Sequence, residues 1–270
     1  MMNKLAVLLG ALLLTAAGAA GPAAASSGVD LRMEPAPLKR LDVESLQRGA
    51  RTFVNYCLNC HSAKYMRYNR LTDLGIDIAM IEDNLMFATD KVGSTMTVAL
   101  TPADAKAFFG APPPDLTVEA RVRGADWLYN YFLGFYKDDA SVTGWNNLVF
   151  PNVGMPHVLW SQAGVNRLVS TEYKTHEEAE AAAIAVKGLV LVSPAKEHRY
   201  RVDTLVADTP GTMTPAQYKA MVADLVNYLD YMSEPTKNKR ISLGIIVLLY
   251  LGVLFVFVYW MKREYWKDVH

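Results

Sequence analysis

The run Cys57-Leu58-Asn59-Cys60-His61 brings two thiols and an imidazole together within five residues. Two cysteines at this spacing lie on one turn, so both sulfurs can form thioether bonds with the vinyl groups of a porphyrin. The imidazole of the next residue can then ligate the iron. In an exported protein a C-x-x-C-H run is the attachment site of a c-type haem. The sequence therefore predicts one covalent haem c, held by Cys57 and Cys60, with His61 as an iron ligand.

Two other kinds of site share the C-x-x-C spacing. A structural zinc site would need two further ligands, and these are the only two cysteines in the chain. A thioredoxin-like dithiol would need a βαβ setting, which neither flank of the run shows. Haem attachment is therefore the favoured prediction for this run.

Export is indicated by residues 1–25, which have the pattern of a secretory signal peptide. Lys4 precedes the apolar run Leu5–Leu14, and a tail of small residues ends in three alanines at 23–25. The apolar run is too short to span a bilayer. We expect residues 1–25 to be removed and the part that follows to reach the outer side of the membrane.

A second apolar segment, residues 241–261, is 21 residues long and contains no charged side chain. As a helix it would be about 31 Å long, enough to cross the hydrocarbon core of a membrane. The sequence thus predicts a haem domain over 26–236 on this outer side, which is the periplasm in a bacterial cell, and an anchor over 237–270. The anchor crosses the inner membrane once and leaves a short cytoplasmic tail.

The body between these ends is expected to be mainly α, a cytochrome-c-like haem domain with loop-rich insertions. One helix, over 44–56, leads into the haem run and has an apolar stripe of Leu46, Ala50, Phe53 and Val54. A terminal helix begins at Thr214-Pro215 and closes at Glu234-Pro235. Such a helix can cross the first one and frame the haem.

Weaker patterns lie between these two helices. Residues 126–136 are aromatic and predict a short buried helix, residues 175–187 predict an exposed helix, and residues 187–207 alternate well enough for a small β-hairpin. The formal net charge is zero, so no nucleic-acid partner is expected.

The sixth iron ligand has three candidates by sequence. Met155 lies in a Gly-Met-Pro loop, which can present a side chain to the ring. Met213 lies just before the terminal helix, and His157 would give a haem with two histidine ligands. A thioether opposite histidine raises the potential of the iron. Spacing alone leaves all three open.

Four stretches together resemble one family. They are QRGARTFVNYCLNCHSAKYMRYNRL at 47–71, TMTVALTPADAKAFFGAPPPDLTVEARVRG at 95–124, FPNVGMPH at 150–157 and TMTPAQYKAMVADLVNYLDYMSEP at 212–235. In this order, with an anchor after them, they resemble the cytochrome c1 family, the haem-bearing subunits of ubiquinol–cytochrome c oxidoreductase (the cytochrome bc1 complex). The likeness is greatest to the shorter proteobacterial form. The segment 164–212 is longer than the corresponding stretch of mitochondrial members.

The resemblance implies a role for each matching residue. Cys57 and Cys60 hold the haem, His61 is the proximal ligand and Met155 becomes the distal ligand. Pro114 belongs to a Pro-Pro-Asp-Leu stretch that packs beside the ring. Arg123 falls where family members place an arginine near a haem propionate, where a guanidinium suits a carboxylate. Arg121 is the other candidate for that role.

The resemblance also implies partners. The haem would take an electron from a Rieske iron–sulfur protein and pass it to a c-type cytochrome, while the anchor packs on cytochrome b in the membrane. The chain would thus be a redox subunit of quinol–cytochrome c reductase, with no acid–base catalysis of its own. Two alternatives stay open: a free-standing, membrane-anchored monohaem carrier, and a haem-based ligand sensor with an open sixth position.

Overall fold

The computed structural model describes residues 30–267, so the predicted signal peptide at 1–25 lies outside the described residues. Its α-helices are α1 (Val43–Tyr56), α2 (Ile78–Leu85), α3 (Pro102–Phe109), α4 (Glu119–Arg123), α5 (Ala125–Leu133), α6 (Trp160–Ala163), α7 (His176–Ala185), α8 (Pro215–Ser233) and α9 (Lys237–Tyr265). Its strands are β1 (Asp30–Arg32), β2 (Ala63–Arg67), β3 (Thr95–Met96), β4 (Phe135–Lys137), β5 (Trp145–Asn147), β6 (Gly164–Tyr173), β7 (Val190–Pro194) and β8 (Tyr200–Pro210).

Helices α1 and α8 pack across each other in the centre of the main hydrophobic core. Asp42 caps α1 by accepting from the backbone N–H of Ser45 at 3.0 Å. The crossing requires Gly49, because a Cβ there would lie 2.1 Å from the carbonyl oxygen of Asp224 and 2.6 Å from the Cβ of Tyr228. The predicted helix before the haem run and its crossing by the terminal helix are both confirmed.

Helix α8 begins as predicted. Thr214 and Gln217 form a capping box, and Pro215 occupies the first helical position. Its buried face includes Val222, Leu225, Tyr228 and Leu229, which pack against α1 in the main core. The two helices that precede and follow the haem region are therefore held in a fixed relation.

The predicted hairpin at 187–207 is confirmed, but it belongs to a larger sheet. Strands β7 and β8 pair antiparallel, and β6 and β1 extend the sheet in the order β1-β7-β8-β6. Helix α7 covers one face with Ala179 and Ala183, which pack on Val190 and Val202. The sequence patterns predicted only two of the four strands. They missed β6 because β6 pairs with β8, which begins about thirty residues later in the chain.

The aromatic segment at 126–136 forms a helix that is shorter than predicted. Helix α5 ends at Leu133, and after Gly134 the chain enters β4, which pairs with β5. A Cβ at Gly134 would lie 2.9 Å from the carbonyl oxygen of Asn130 and 3.0 Å from Oδ1 of Asn147. This close approach brings the end of α5 against the loop that carries Met155.

Helix α9 contains the predicted membrane segment. Over residues 30–267, one helix is long and apolar enough to cross a membrane, at Lys239–Tyr265, and its apolar window is not buried in the isolated chain. At its start Lys237 approaches Asp230 at 3.7 Å, and Arg240 pairs with Glu234 at 2.5 Å. These pairs join the anchor to the end of α8.

Candidate functional site

The haem run forms a tight turn at the end of α1. The N–H of Cys57 donates to the carbonyl of Phe53 at 2.8 Å, and the N–H groups of Cys60 and His61 donate to the carbonyl of Cys57 at 3.1 and 2.8 Å. Both thiols are free. Because the turn is closed by its own backbone, the two sulfurs and the imidazole are presented together.

The Cys57 thiol differs from the reactive thiol of a dithiol redox site. Burial, followed by the neighbouring Cys60, raises the pKa of Cys57 to about 12. A redox-active cysteine instead needs a lowered pKa and a stable thiolate, so the raised pKa of Cys57 disfavours the dithiol interpretation. Over residues 30–267, no group of three or more His, Cys, Asp or Glu residues is placed to hold a metal ion, and a structural zinc site would need such a group.

His61 is oriented by the loop that contains Pro114. Its Nδ1 lies 2.8 Å from the carbonyl oxygen of Pro114. A carbonyl can only accept, so Nδ1 carries the proton and Nε2 keeps its lone pair. Burial lowers the pKa of His61, and the bond to Pro114 opposes that effect. The result is a neutral imidazole with one nitrogen free for a metal, which is the state that an iron ligand requires.

The Pro114 loop is itself tied to the segment after His61. Leu116 donates its N–H to the carbonyl of Ser62 at 2.9 Å, and the carboxylate of Asp115 accepts from the N–H of Lys64 at 2.8 Å. These bonds place the Pro-Pro-Asp-Leu stretch directly beside the imidazole. Pro114 therefore contacts the site through its backbone carbonyl.

The Met155 loop is fixed by buried asparagines. Asn147 is fully buried; its amide donates to the carbonyl of Tyr131 at 2.7 Å and its Oδ1 accepts from the N–H of Val149 at 2.9 Å. Asn146 accepts from the N–H of Asn152 at 2.8 Å. With the loop held in this way, the half-buried Met155 side chain packs against the main core.

The sulfur of Met155 has a specific partner. The hydroxyl of Tyr131 donates to Met155 Sδ at 3.4 Å. Burial raises the pKa of Tyr131, so the phenol stays protonated. The aromatic run of α5 indicated a buried helix, but nothing in the sequence linked Tyr131 to a residue 24 positions away.

The other two candidates for the sixth ligand lie in different surroundings. His157 is 3% exposed, its ring stacks on Phe135 with a centroid distance of 4.7 Å, and Trp145 meets it edge-on at 5.2 Å. This burial lowers the pKa of His157 to about 4. Met213 lines an open groove of about 750 Å³ between α1 and α8. The imidazole is thus engaged in aromatic packing, and Met213 lines the groove just before α8 begins.

Arg123 lies at the end of α4, beside the aromatic residues of α5. Its Nε bonds Glu119 at 3.1 Å, and its guanidinium carbon lies 4.9 Å from the ring centroid of Trp127. Trp127 in turn stacks on Tyr131 at 5.1 Å with an interplanar angle of 12°. Arg123 is therefore connected to Met155 through the rings of Trp127 and Tyr131. Arg121 and Arg123 are both exposed, so exposure does not distinguish them.

The residues of the site fit a covalently attached haem. Two free thiols lie on one turn, the imidazole of His61 is neutral and oriented, and the half-buried thioether of Met155 is held by Tyr131. Thiols, an imidazole and a thioether are the donors that haem c uses. When bound, haem would supply one-electron redox chemistry, and the protein residues would set its ligation and surroundings.

Comparison with known proteins gives a match over most of the chain. The profile of the Cytochrome C1 family matches residues 34–187 and 202–269. The cytochrome c1 of Allochromatium vinosum is 44% identical over 246 residues, which cover 91% of this chain and 93% of that protein. A Nitrosomonas europaea protein named ammonia monooxygenase gamma subunit is 42% identical over 245 residues, with 91% and 92% coverage.

A third relative, the cytochrome c1 of Rhodospirillum rubrum, is 29% identical over 249 residues, which cover 85% of this chain and 84% of that protein. The family match omits residues 188–201, which contain β7 and the start of β8. On the extent of the profile match and the identity of these relatives, the chain belongs to the Cytochrome C1 family of membrane-anchored electron-transport subunits of the cytochrome bc1 complex, each of which carries one covalently bound haem c.

Proposed function

We propose that Cys57 and Cys60 bind the haem through thioethers, that His61 is the proximal iron ligand and that Met155 is the distal ligand. The observation that carries this proposal is the 2.8 Å bond from His61 Nδ1 to the carbonyl of Pro114. It fixes the tautomer that leaves Nε2 for iron, on the turn that also holds both thiols. Pro114 thus belongs to the haem site through its backbone.

Arg123 is the residue that offsets a haem propionate in this proposal. The support is its position: the guanidinium lies over Trp127, whose ring stacks on the phenol that contacts Met155. A planar guanidinium can bond a carboxylate while it stays stacked on an aromatic ring. Glu119 shares the guanidinium and would hold it in place.

The chain then acts as the electron relay between two redox proteins. It accepts electrons from a Rieske iron–sulfur protein and passes them to a c-type cytochrome during quinol oxidation, with α9 packed on cytochrome b. Support comes from family membership and from the apolar anchor helix, whose membrane-length window is not buried in the isolated chain. The chain's own residues position and tune the haem and need no proton transfer.

The topology follows from the two ends. After removal of residues 1–25, the haem domain 26–236 lies in the periplasm, the helix within 237–270 crosses the inner membrane once, and the tail is cytoplasmic. The support is the signal-like pattern of the first residues and the single suitable helix over residues 30–267.

Purification of the detergent-solubilised complex through a tag on this chain tests the proposed role. We expect c-type and b-type haem bands in one preparation and quinol-dependent reduction of the c-type haem. Recovery of this haem without b-type haem from gently solubilised membranes would favour the free-standing carrier. Ready binding of carbon monoxide by the ferrous protein would favour the ligand sensor, because a six-coordinate haem leaves no open position.

A further inference from the structure

Met155 has a hydrogen-bond donor at its sulfur, whereas the hydrogen bond of His61 is made through Nδ1 to the carbonyl of Pro114. The hydroxyl of Tyr131 donates to Met155 Sδ at 3.4 Å, a normal distance for a bond to sulfur. A thioether sulfur has two lone pairs and is a weak acceptor. One lone pair can therefore accept the phenol proton while the other remains for a metal.

The phenol is held rigidly in that position. Tyr131 is 9% exposed, and its ring is stacked on Trp127 and meets Phe135 edge-on at 5.1 Å. Its own carbonyl accepts from the buried amide of Asn147, which also holds the loop that leads to Met155. One network thus positions both the donor and the sulfur.

The geometry points to Tyr131 as a positioning residue that raises the reduction potential of the haem through its hydrogen bond to Met155. This inference rests on the proposed ligation of iron by Met155. The phenol proton draws electron density from the sulfur, which then donates less to iron. Ferric iron depends more on that donation than ferrous iron does, and the positive end of the O–H dipole also opposes the extra positive charge of ferric iron. Both effects favour the reduced state.

The substitution Tyr131→Phe removes the hydroxyl and keeps the ring. We expect the midpoint potential in the intact membrane complex to fall, with a threefold to tenfold decrease in the ratio of ferrous to ferric haem at a fixed ambient potential. A tenfold change corresponds to about 59 mV for a one-electron couple. The long-wavelength absorption band of a thioether–ferric haem bond should remain, because Met155 still binds.

Tyr129→Phe is the matched control, because Tyr129 is also a buried tyrosine of α5. Within residues 30–267, the hydroxyl that bonds Met155 Sδ is that of Tyr131. We expect its potential to equal that of the unmodified chain. An unchanged potential in Tyr131→Phe, with normal haem content, would overturn the inference. An equal fall in both variants would also overturn it, since the effect would then come from general repacking of α5.

The Met155→Leu variant separates this inference from the proposed ligation. If the band is lost in Met155→Leu but Tyr131→Phe has no effect on potential, Met155 is the ligand and the inference about Tyr131 is wrong. If the band survives Met155→Leu, the ligation itself is wrong. As a second measurement, the low-frequency resonance Raman bands of the unmodified protein should shift between H₂O and D₂O, because the phenol proton that Tyr131 donates to the sulfur exchanges. The absence of a shift would count against the inference even if Tyr131→Phe failed to fold.

Discussion

On the proximal side of the haem site, both thiols and the imidazole come from one turn of five residues, whose N–H groups bond carbonyls at most five positions earlier. On the proposed distal side, Met155 is positioned by Tyr131, 24 residues earlier, and by Asn147, which itself bonds Tyr131 across 16 residues. The proposed proximal side also has one long-range contact, the hydrogen bond from His61 to the carbonyl of Pro114. The proximal ligands should therefore tolerate changes elsewhere in the fold, whereas the distal ligand depends on packing that several segments share.

The largest effect on the haem is expected for Met155→Lys, which replaces the proposed distal ligand. We expect the thioether band to disappear and the midpoint potential to fall by roughly a few tenths of a volt, because an amine favours ferric over ferrous iron. Covalent haem should still be present, since the thiols and His61 are untouched. Absorption spectra and a redox titration measure both effects.

Met213→Leu is the control for that substitution. It should leave band and potential intact, at a cost of about 1 kcal/mol in packing at most, because Met213 lines the groove between α1 and α8. Loss of the band in Met213→Leu, with retention in Met155→Lys, would transfer the distal ligand to Met213.

The second prediction concerns the support of the distal loop. Asn147→Ala leaves the carbonyl of Tyr131 and the N–H of Val149 without their buried partner, so we expect the free energy of unfolding to fall by about 2–4 kcal/mol. The thioether band should be lost at lower denaturant than the helical circular dichroism signal. Asn59→Ala, an exposed change within the haem turn, should cost under about 0.5 kcal/mol. Equal costs for the two variants would contradict the proposed difference between the sides.

A smaller effect is expected for Arg123→Gln. Removal of the guanidinium leaves a propionate unpaired, which favours the more positive, oxidised haem, and the potential should fall by up to about 59 mV. Arg121→Gln removes an equally exposed charge from the same helix and should leave the potential unchanged, because the guanidinium over Trp127 belongs to Arg123. A fall in Arg121→Gln and none in Arg123→Gln would exchange their roles.

The smallest effect on the haem is expected from removal of the anchor. Truncation after Glu234 should release a soluble protein with covalent haem and an unchanged thioether band, because the apolar window of α9 is not buried and its first turns are joined to the body through ion pairs. Such half-exposed pairs contribute about 1 kcal/mol or less. Haem content and the band in the soluble fraction are the measurements; failure to acquire haem would mean that the anchor takes part in folding.

Several elements could be predicted because their signals are local. The helix before the haem run, the capped start of α8 and the anchor helix all depend on periodicity, capping residues or an uninterrupted apolar run, and all three are present. The hairpin of β7 and β8 was also found, since its two strands are close in sequence. The full sheet was not, because β1 pairs with β7 across about 160 residues.

The sequence by itself determined the proximal half of the candidate site, because two cysteines and a histidine at fixed spacing on one turn need no distant partner to be brought together. It also determined the anchor, since length and apolarity alone decide whether a helix can cross a bilayer. The tertiary structure decided the rest. Only the folded chain places the phenol of Tyr131 on the sulfur of Met155, encloses His157 in aromatic rings and turns the carbonyl of Pro114 toward His61. Each of these contacts joins residues that are far apart in the chain, and no local pattern encodes such a distance.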